Sequence, residues 1–423
     1  MTIWLHETRL LLRSRMAAIA LVLLAVLSTA AVAAGMAEMA RQRAAIDAIA
    51  SAQAEDIGAV ATYVDREKDA GSAAYYSFHP TWDAPAPLAF AATGMRDVAP
   101  YILRVRALGL EAQIYDGDTF NPELALPGRF DFAFVLVFLA PLFAIALFHD
   151  LQSGEREAGR ARMLEAMPGA RRLWLRRGLI RFALLLLALG IPFVVGAVLS
   201  GVAIGPLLLI VALAAAYLLF WIALAGLVGR LGHGSTANAA TLAGLWLVLV
   251  LVLPTLAHVV INRAIPVDDG AKIALAQREN VHHAWEIPRE ETMRRFYAAN
   301  PRWADSPPLP EGFHYKWYFA FHQNGDDSVA ARVEAYRRGL ERRAATANAL
   351  GWVLPSVGVQ ALLTRLAHTD LAAQLAYQDR IRAFHRRLRH FYYDYMFRDR
   401  PFGKADFAKA PTFDDATGAS PRR

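Results

Sequence analysis

The sequence predicts an all-α membrane protein, a polytopic helical bundle with mainly helical extracytoplasmic regions. Two observations carry this prediction: apolar residues are concentrated in long runs, and the polar stretches show helical periodicity. A membrane-crossing helix needs about 20 mostly apolar residues, and five runs meet that requirement. Residues 350–368 are an alternative sixth span. The five predicted spans are residues 17–35, 132–148, 182–199, 204–228 and 237–261.

Composition excludes several classes of function. Of the 423 residues, 56% are hydrophobic, whereas soluble domains average about 45–50%. The chain has no cysteine, which excludes disulfides, thiolate catalysis and cysteine zinc sites. The net charge of +7 is carried mainly by arginine, and in a membrane protein this excess indicates topology and anionic lipid first. No recognition motif accompanies the charge, so we expect no nucleic-acid partner.

The first apolar run has two interpretations. Arg9, Arg13 and Arg15 precede it, and residues 31–33 (Ala-Val-Ala) resemble the cleavage site of a secretory signal peptide. The leader is long and amphipathic, however, and Trp4 in it suits headgroup depth. We therefore predict a retained anchor preceded by an interfacial helix, with a cleaved signal as the alternative.

Arginine asymmetry in the short loops predicts the orientation. The loop 150–177 carries seven arginines, whereas the link 200–203 carries no charge. Positive loops stay in the cytoplasm, which places the amino terminus inside. The predicted divisions are the amphipathic helix with the first span (1–35), a first extracytoplasmic region (36–130), a four-span region (131–262) whose cytoplasmic coupling loop is 150–177, and a C-terminal extracytoplasmic region (263–423).

Residues 350–368 are apolar but interrupted. Pro355, Gln360 and Arg365 fall within one membrane thickness, and a charge at the bilayer centre costs about 2.5–3.5 kcal/mol on insertion scales. We therefore predict an interfacial helix. The alternative is a sixth span, which would return the tail to the cytoplasm.

A short charged segment follows the second predicted span. Ser153 is a candidate helix cap, and Glu155 and Glu157 lie in the first turn, where the helix dipole favours anions. Pro168 and Gly169 end the segment. Such a helix in a tight turn suits docking on another protein, and a solvated positive loop is the alternative.

Residues 131–165 resemble the ABC-2 type permeases, the membrane subunits of ATP-binding-cassette transporters. In that family the second membrane helix leads into a Gly-Glu-Arg-Glu coupling segment, matched here by Gly154, Glu155, Arg156 and Glu157. The stretches 354–356, 366–370 and 384–388 resemble a subfamily with a large extracytoplasmic domain of unknown function. Such permeases usually have six spans. A chain with five therefore leads us to expect a second permease copy or a homologous permease.

The resemblance implies a permease subunit of an ABC exporter in a bacterial inner membrane. The sequence has no Gly-x-x-x-x-Gly-Lys-Ser/Thr phosphate loop, so we expect no enzyme activity and no cofactor in this chain, with ATP bound by a partner ABC ATPase subunit. The expected alternative is a mechanotransmission subunit that relays ATP hydrolysis to a periplasmic partner. The predicted ATPase-coupling contacts are Gly154, Glu155, Arg156, Glu157 and Arg160.

Three further groups carry weaker hypotheses. His282, His283 and Glu286 have helical spacing but lack a third nearby ligand, so we expect no metal site. Residues 116–118 (Asp-Gly-Asp) resemble the start of a calcium loop, and a turn is the simpler interpretation. The tyrosines near residue 393 indicate a domain core or interface more than a ligand grip. The substrate-binding residues stay unknown.

Overall fold

A computed structural model describes residues 2–116, 130–167 and 169–413. It is 76% helical with very little strand, which confirms the predicted all-α membrane class. The first eight helices are α1 (Thr2–Arg13), α2 (Arg15–Asp47), α3 (Ile49–Glu67), α4 (Ala70–Tyr76), α5 (Leu110–Tyr115), α6 (132–148), α7 (Ser153–Glu157) and α8 (Ala161–Ala166). The others are α9 (Ala170–Leu199), α10 (Ile204–Gly229), α11 (Ser235–Ala264), α12 (Gly270–His283), α13 (Arg289–Ala299), α14 (Tyr315–Leu350), α15 (Pro355–Leu366) and α16 (Leu371–Met396).

Within the described residues, five helical stretches are long and apolar enough to cross a membrane. Each contains one of the five runs predicted from the sequence, and the helices continue beyond them. The helix α2 has 33 residues, which at 1.5 Å per residue is about 50 Å. The hydrocarbon core is about 30 Å thick, so the carboxyl-terminal part of α2 leaves the membrane and continues into α3. The five stretches are Arg15–Glu67, Phe132–Glu157, Arg171–Leu199, Ile204–Gly229 and Ser235–Ala264.

The second span contains a π-helical turn at Val135–Leu139. Pro141 lies just beyond it and has no N–H with which to bond the Val137 carbonyl four residues earlier. Tyr217 of α10 donates to that carbonyl instead, at 2.9 Å. The wide turn thus accommodates the proline, and a buried hydroxyl satisfies the carbonyl that it frees.

The spans share one apolar core. The helix α9 packs along α2, and the Ser28 hydroxyl donates to the Leu189 carbonyl between them at 2.9 Å. The segment 88–92, which precedes the second span, also enters this core, where Phe90 is fully buried and lies 5.9 Å from the Phe193 ring. The rest of the apolar span surface faces outward, as expected for helices in lipid.

The polar stretches on both sides of the spans fold together into one unit, here called the peripheral domain (49–116 and 270–413, without α15). Its core is aromatic and contains α4, α5, α12–α14 and α16. Thr81 and Tyr377 are linked by a hydrogen bond of 3.0 Å between regions far apart in sequence. The two predicted extracytoplasmic regions therefore share one core.

A two-stranded antiparallel sheet in the peripheral domain was not predicted. Strand β1 (His79–Trp82) pairs with β2 (Ile102–Val105), with His79 opposite Val105. Four-residue strands are too short for a periodicity signal, and Pro80 argued against a strand. Proline is tolerated here because the sheet has no third strand among the described residues. Pro80 therefore lies on an edge strand, where its missing N–H removes no ladder hydrogen bond.

Candidate coupling site

The Gly-Glu-Arg-Glu residues lie on a short bent segment after the second span, here called the elbow (residues 153–167). It consists of α7, a turn and α8. The sequence predicted a single short helix, but Gly159 adopts a φ of +71° and separates the two. A left-handed residue ends a helix, and glycine adopts that conformation without strain.

Ser153 does not cap the elbow as predicted. It is the first residue of α7, it is buried, and the preceding residue makes no side-chain cap. Its hydroxyl lies 3.1 Å from the His149 carbonyl and 2.9 Å from the Ser235 hydroxyl. Ser153 thus attaches the elbow to the start of α11, the fifth span.

Glu155 connects the elbow to two other helices. Its carboxylate accepts from Arg177 of α9 at 3.0 Å and from Arg160 at 2.7 Å. Arg177 in turn donates to Glu7 of α1 at 3.1 Å. The chain Glu7–Arg177–Glu155–Arg160 is a half-buried charge network, and it joins the amphipathic helix, the third span and the elbow.

Glu157 and Arg156 hold the loop between the fourth and fifth spans. Glu157 accepts from both the backbone N–H and the hydroxyl of Ser235, at 2.6 and 2.9 Å. This carboxylate therefore acts as a remote cap for the first turn of α11. Arg156 donates to the Gly229 carbonyl at 2.9 Å and to the His233 carbonyl at 3.3 Å. Both side chains therefore make their hydrogen bonds to other residues of this chain.

Gly154 differs from its neighbours. A Cβ placed there would meet only Asp150, at ordinary contact distance, so nothing in the described chain requires a glycine. Any need for a small residue at this position would arise from a molecule that approaches the elbow from outside.

The exposed residues of the elbow run from Arg156 to Arg160 and continue over most of α8 to Met167. Met163 and Met167 are 61% and 53% exposed, and Arg162 and Glu165 beside them are also exposed. Methionine is flexible and polarizable, which suits adaptable binding surfaces. Glu155, Arg156 and Glu157 thus hold the elbow in place, and of the predicted contacts Arg156, Glu157 and Arg160 are also exposed. The two methionines, here called the Met163–Met167 face, add an exposed apolar surface beside them. In the sequence, the four-residue spacing of the two methionines was the signal that could have identified this face.

The weaker hypotheses have the following outcomes. His283 pairs with Glu286 at 2.9 Å on an exposed surface, and the described residues contain no group of three possible metal ligands. Tyr392 and Tyr393 are fully buried in the peripheral core. Of the possible calcium loop, residues 117 and 118 lie outside the described residues.

A family model for ABC-2 family transporter proteins matches residues 1–268. The chain belongs to the ABC-2 transporter family. A second model, for a domain of unknown function (DUF3526), matches residues 271–415. No curated protein and no solved structure matches the chain. The family confirms the resemblance drawn from the sequence: this ABC-2 protein is a multi-pass membrane subunit of an ABC transporter. Members of the family are membrane components without an ATPase domain, so the family implies an ABC ATPase partner.

Proposed function

We propose that this ABC-2 subunit is the permease of an exporter in a bacterial inner membrane, driven by a separate ATPase that docks on the elbow. In this proposal the amino terminus and the elbow are cytoplasmic, and the peripheral domain is extracytoplasmic. The arginine-rich loop 150–177 supports that orientation. A second permease copy or homologous chain completes the transporter.

The observation that carries the proposal is the set of contacts made by the elbow. Through Glu155 it is bound to α9 and α1, and through Glu157 it is bound to α11. A push on the Met163–Met167 face therefore acts on the ends of three membrane segments at once. Charge-assisted hydrogen bonds are short and directional, so the elbow moves with these helices as a unit.

The experiment separates docking from coupling. Met163→Glu with Met167→Glu places charges on the exposed face, and we expect ATPase copurification to fall about tenfold or more. Glu155→Gln with Glu157→Gln leaves that face intact, so the complex should assemble while ATP hydrolysis no longer responds to the permease. The chain purified alone should show no ATPase activity.

Matched variants control this test. Leu275→Glu changes an exposed leucine of the peripheral domain and should leave ATPase binding unchanged. Gly154→Ala is tolerated inside the chain, so reduced assembly in this variant would mean that the ATPase closely approaches that position. If the methionine double variant assembles normally, the docking assignment is wrong.

A mechanotransmission function has its own supporting observation. Two connections join the spans to the peripheral domain. The helix α2 leads directly into α3, and the end of α11 is held to α14 by Arg343, which donates to the Ile265 carbonyl at 2.8 Å. The spans also pack around an apolar core in the described residues. Both features suit a device that moves the peripheral domain against a periplasmic partner.

Hydrogen exchange of the assembled complex distinguishes the two functions. A transmitter should change the exchange of peripheral-domain amides when ATP is added. Inserting two glycines after Ala48, between α2 and α3, should abolish that change while ATP hydrolysis continues. An exporter should show ATP-dependent exchange in the spans that survives the insertion. The second result would exclude transmission through α2.

A further inference from the structure

The helix α15 reaches the middle of the membrane bundle. The Ser356 hydroxyl donates to the Leu249 carbonyl at 3.0 Å, and Leu249 lies at the midpoint of the 30-residue α11. Leu249 belongs to a second π-helical turn, Leu247–Val252, so the serine satisfies a carbonyl released by that turn. The amino-terminal end of α15 is therefore at mid-span depth.

The chain enters and leaves this depth from the same side. The helix α14 descends past the end of α11, where Arg343 contacts Ile265. The helix α15 then returns to the same end of the bundle, where the Thr369 hydroxyl donates to the Ala92 carbonyl at 2.8 Å and α16 of the peripheral domain begins at Leu371. With 12 residues, α15 is about 18 Å long, too short for the roughly 30 Å hydrocarbon core. Residues 343–366 thus form a re-entrant hairpin.

The turn of this hairpin is tight and apolar. A Cβ on Gly358 would lie 2.5 Å from the Gly351 carbonyl oxygen, so the two limbs meet at a pair of glycines. At the tip, Trp352 is 93% exposed and Val353 is 75% exposed. Two large apolar side chains at mid-span depth, uncovered by the described chain, are placed for contact with lipid tails.

One face of α15 and one face of α10 enclose a groove. Its cavity volume is about 510 Å³. Pro355, Leu362 and Arg365 line it on one side, and Leu213 and Phe220 line it on the other. Its length follows α15 from the tip to Arg365, about 15 Å, which is half the hydrocarbon thickness. The groove therefore runs from mid-span toward the headgroups, and the long side chain of Arg365 can extend the remaining distance.

Arg365 is the charged residue of this groove. Its side chain is exposed, and no carboxylate of the described residues pairs with it. A guanidinium at headgroup level forms bidentate bonds with phosphate. The groove below it is apolar and has the depth of one leaflet.

We propose that the groove between α10 and the re-entrant hairpin binds one acyl chain of an anionic phospholipid, with the lipid phosphate on Arg365. The lipid comes from the leaflet that faces the peripheral domain, whichever side of the membrane that is. The site therefore does not depend on the orientation or on the direction of transport.

Native mass spectrometry of the full chain in detergent tests the site with phosphatidylglycerol and phosphatidylethanolamine. Wild-type protein should bind phosphatidylglycerol more tightly, and Arg365→Gln should weaken that binding about fivefold, to the level of phosphatidylethanolamine. Ala216→Trp fills the groove and should abolish both. Arg342→Gln and Ala212→Trp, at exposed positions that do not line the groove, should change neither.

Depth is tested independently with a spin label on Trp352→Cys, which is a single cysteine in a chain that has none. In liposomes the label should be accessible to oxygen and protected from a water-soluble nickel relaxant. A label accessible to the nickel reagent would overturn the proposal, since the tip would lie in water. Equal binding of both lipids by the wild type would also overturn it. A third result would overturn the proposal: groove variants that still bind lipid but no longer copurify with a polypeptide that the wild type retains. The groove would then be a protein-docking surface.

Discussion

The membrane half and the peripheral domain bury different mixtures of residues. In the spans, mostly small and aliphatic side chains fill the core around a few rings such as Phe193 and Trp221, and large apolar side chains such as Leu208 and Leu256 face outward. In the peripheral domain, stacked aromatic rings fill the core together with buried charges, including the ion pair of Asp326 and Arg389 at 2.8 Å. Water outside the peripheral domain drives apolar groups inward, whereas lipid imposes no such requirement on the spans.

The peripheral domain uses its buried charges to join distant segments. Asp326 of α14 accepts from Arg389 of α16 and from the backbone N–H of Leu110 at 2.8 Å. Arg382 forms a bidentate pair with Glu111 at 2.9 Å for both bonds. The first polar region is thus held onto the second by charge-assisted bonds, since the chain has no cysteine for a disulfide. The stability of the peripheral domain should depend on charge and pH, and that of the spans should not.

The largest expected effect tests whether the two halves lie in different solvents. Single cysteines at the exposed positions Ser51 and Ala331 should react with a membrane-impermeant thiol reagent on sealed cells, and one at Ala158 should react only after permeabilisation. Ser72, Ser153 and Asp326 are buried, so cysteines at these positions would not react with the reagent on either side of the membrane. Labelling of Ala158→Cys in sealed cells would invert the proposed orientation.

The next effect concerns the buried ion pair. Arg389→Met leaves Asp326 as an uncompensated buried charge, and we expect the peripheral domain to lose about 3–5 kcal/mol of stability. Lys272→Met, which removes an exposed pair with Asp268, should cost less than about 1 kcal/mol. Thermal unfolding of the full chain in detergent measures both. Equal shifts for the two variants would mean that the buried pair does not hold the domain together.

A pH effect of intermediate size follows from His79, which is buried beside the Tyr392 hydroxyl at 3.1 Å. Burial lowers the pKa of His79 to about 4, against about 6.5 in an unfolded chain. The unfolded state therefore binds more protons between these values, so stability falls as the pH falls from about 6.5 to 4, by roughly 3 kcal/mol for this residue.

His79→Gln should make the unfolding temperature less dependent on pH over that interval. Leu275→Gln, at an exposed and non-titrating position of the same domain, provides the control and should leave the pH dependence unchanged. Identical pH profiles for His79→Gln and the wild type would contradict the assignment. Burial also lowers the pKa of His322, to about 3. His322 should therefore preserve part of the dependence of stability on pH in every variant.

The smallest effect is expected on the outward faces of the spans. Leu208→Ala and Leu256→Ala remove side chains that are 58% and 55% exposed, and we expect each to change stability by less than about 0.5 kcal/mol. Phe296→Ala in the fully buried peripheral core should cost about 3–5 kcal/mol. A large loss at either leucine would mean that the purified protein buries that face against a second copy.

The elbow shows which features of a site can be predicted from local sequence signals. The short segment after the second span and its Gly-Glu-Arg-Glu residues were identified from the sequence, because charge, apolar runs and helix stops are local signals. Their partners were not, since Glu7, Arg177 and Ser235 lie on other helices. The same limit explains why Ser153 was predicted to cap a helix when it in fact contacts Ser235 across the fold.

By itself the sequence determined the all-α class, the five runs that appear as spans, and the family resemblance, because each depends on composition and spacing along the chain. Only the tertiary structure decided what these elements contact. It joined the two polar regions into one core, paired two strands too short to be recognised, and brought α15 to the middle of the bundle through Ser356. A 12-residue apolar stretch has the same pattern at an interface, in a core or in a re-entrant hairpin, and its neighbours alone determine which of these it becomes.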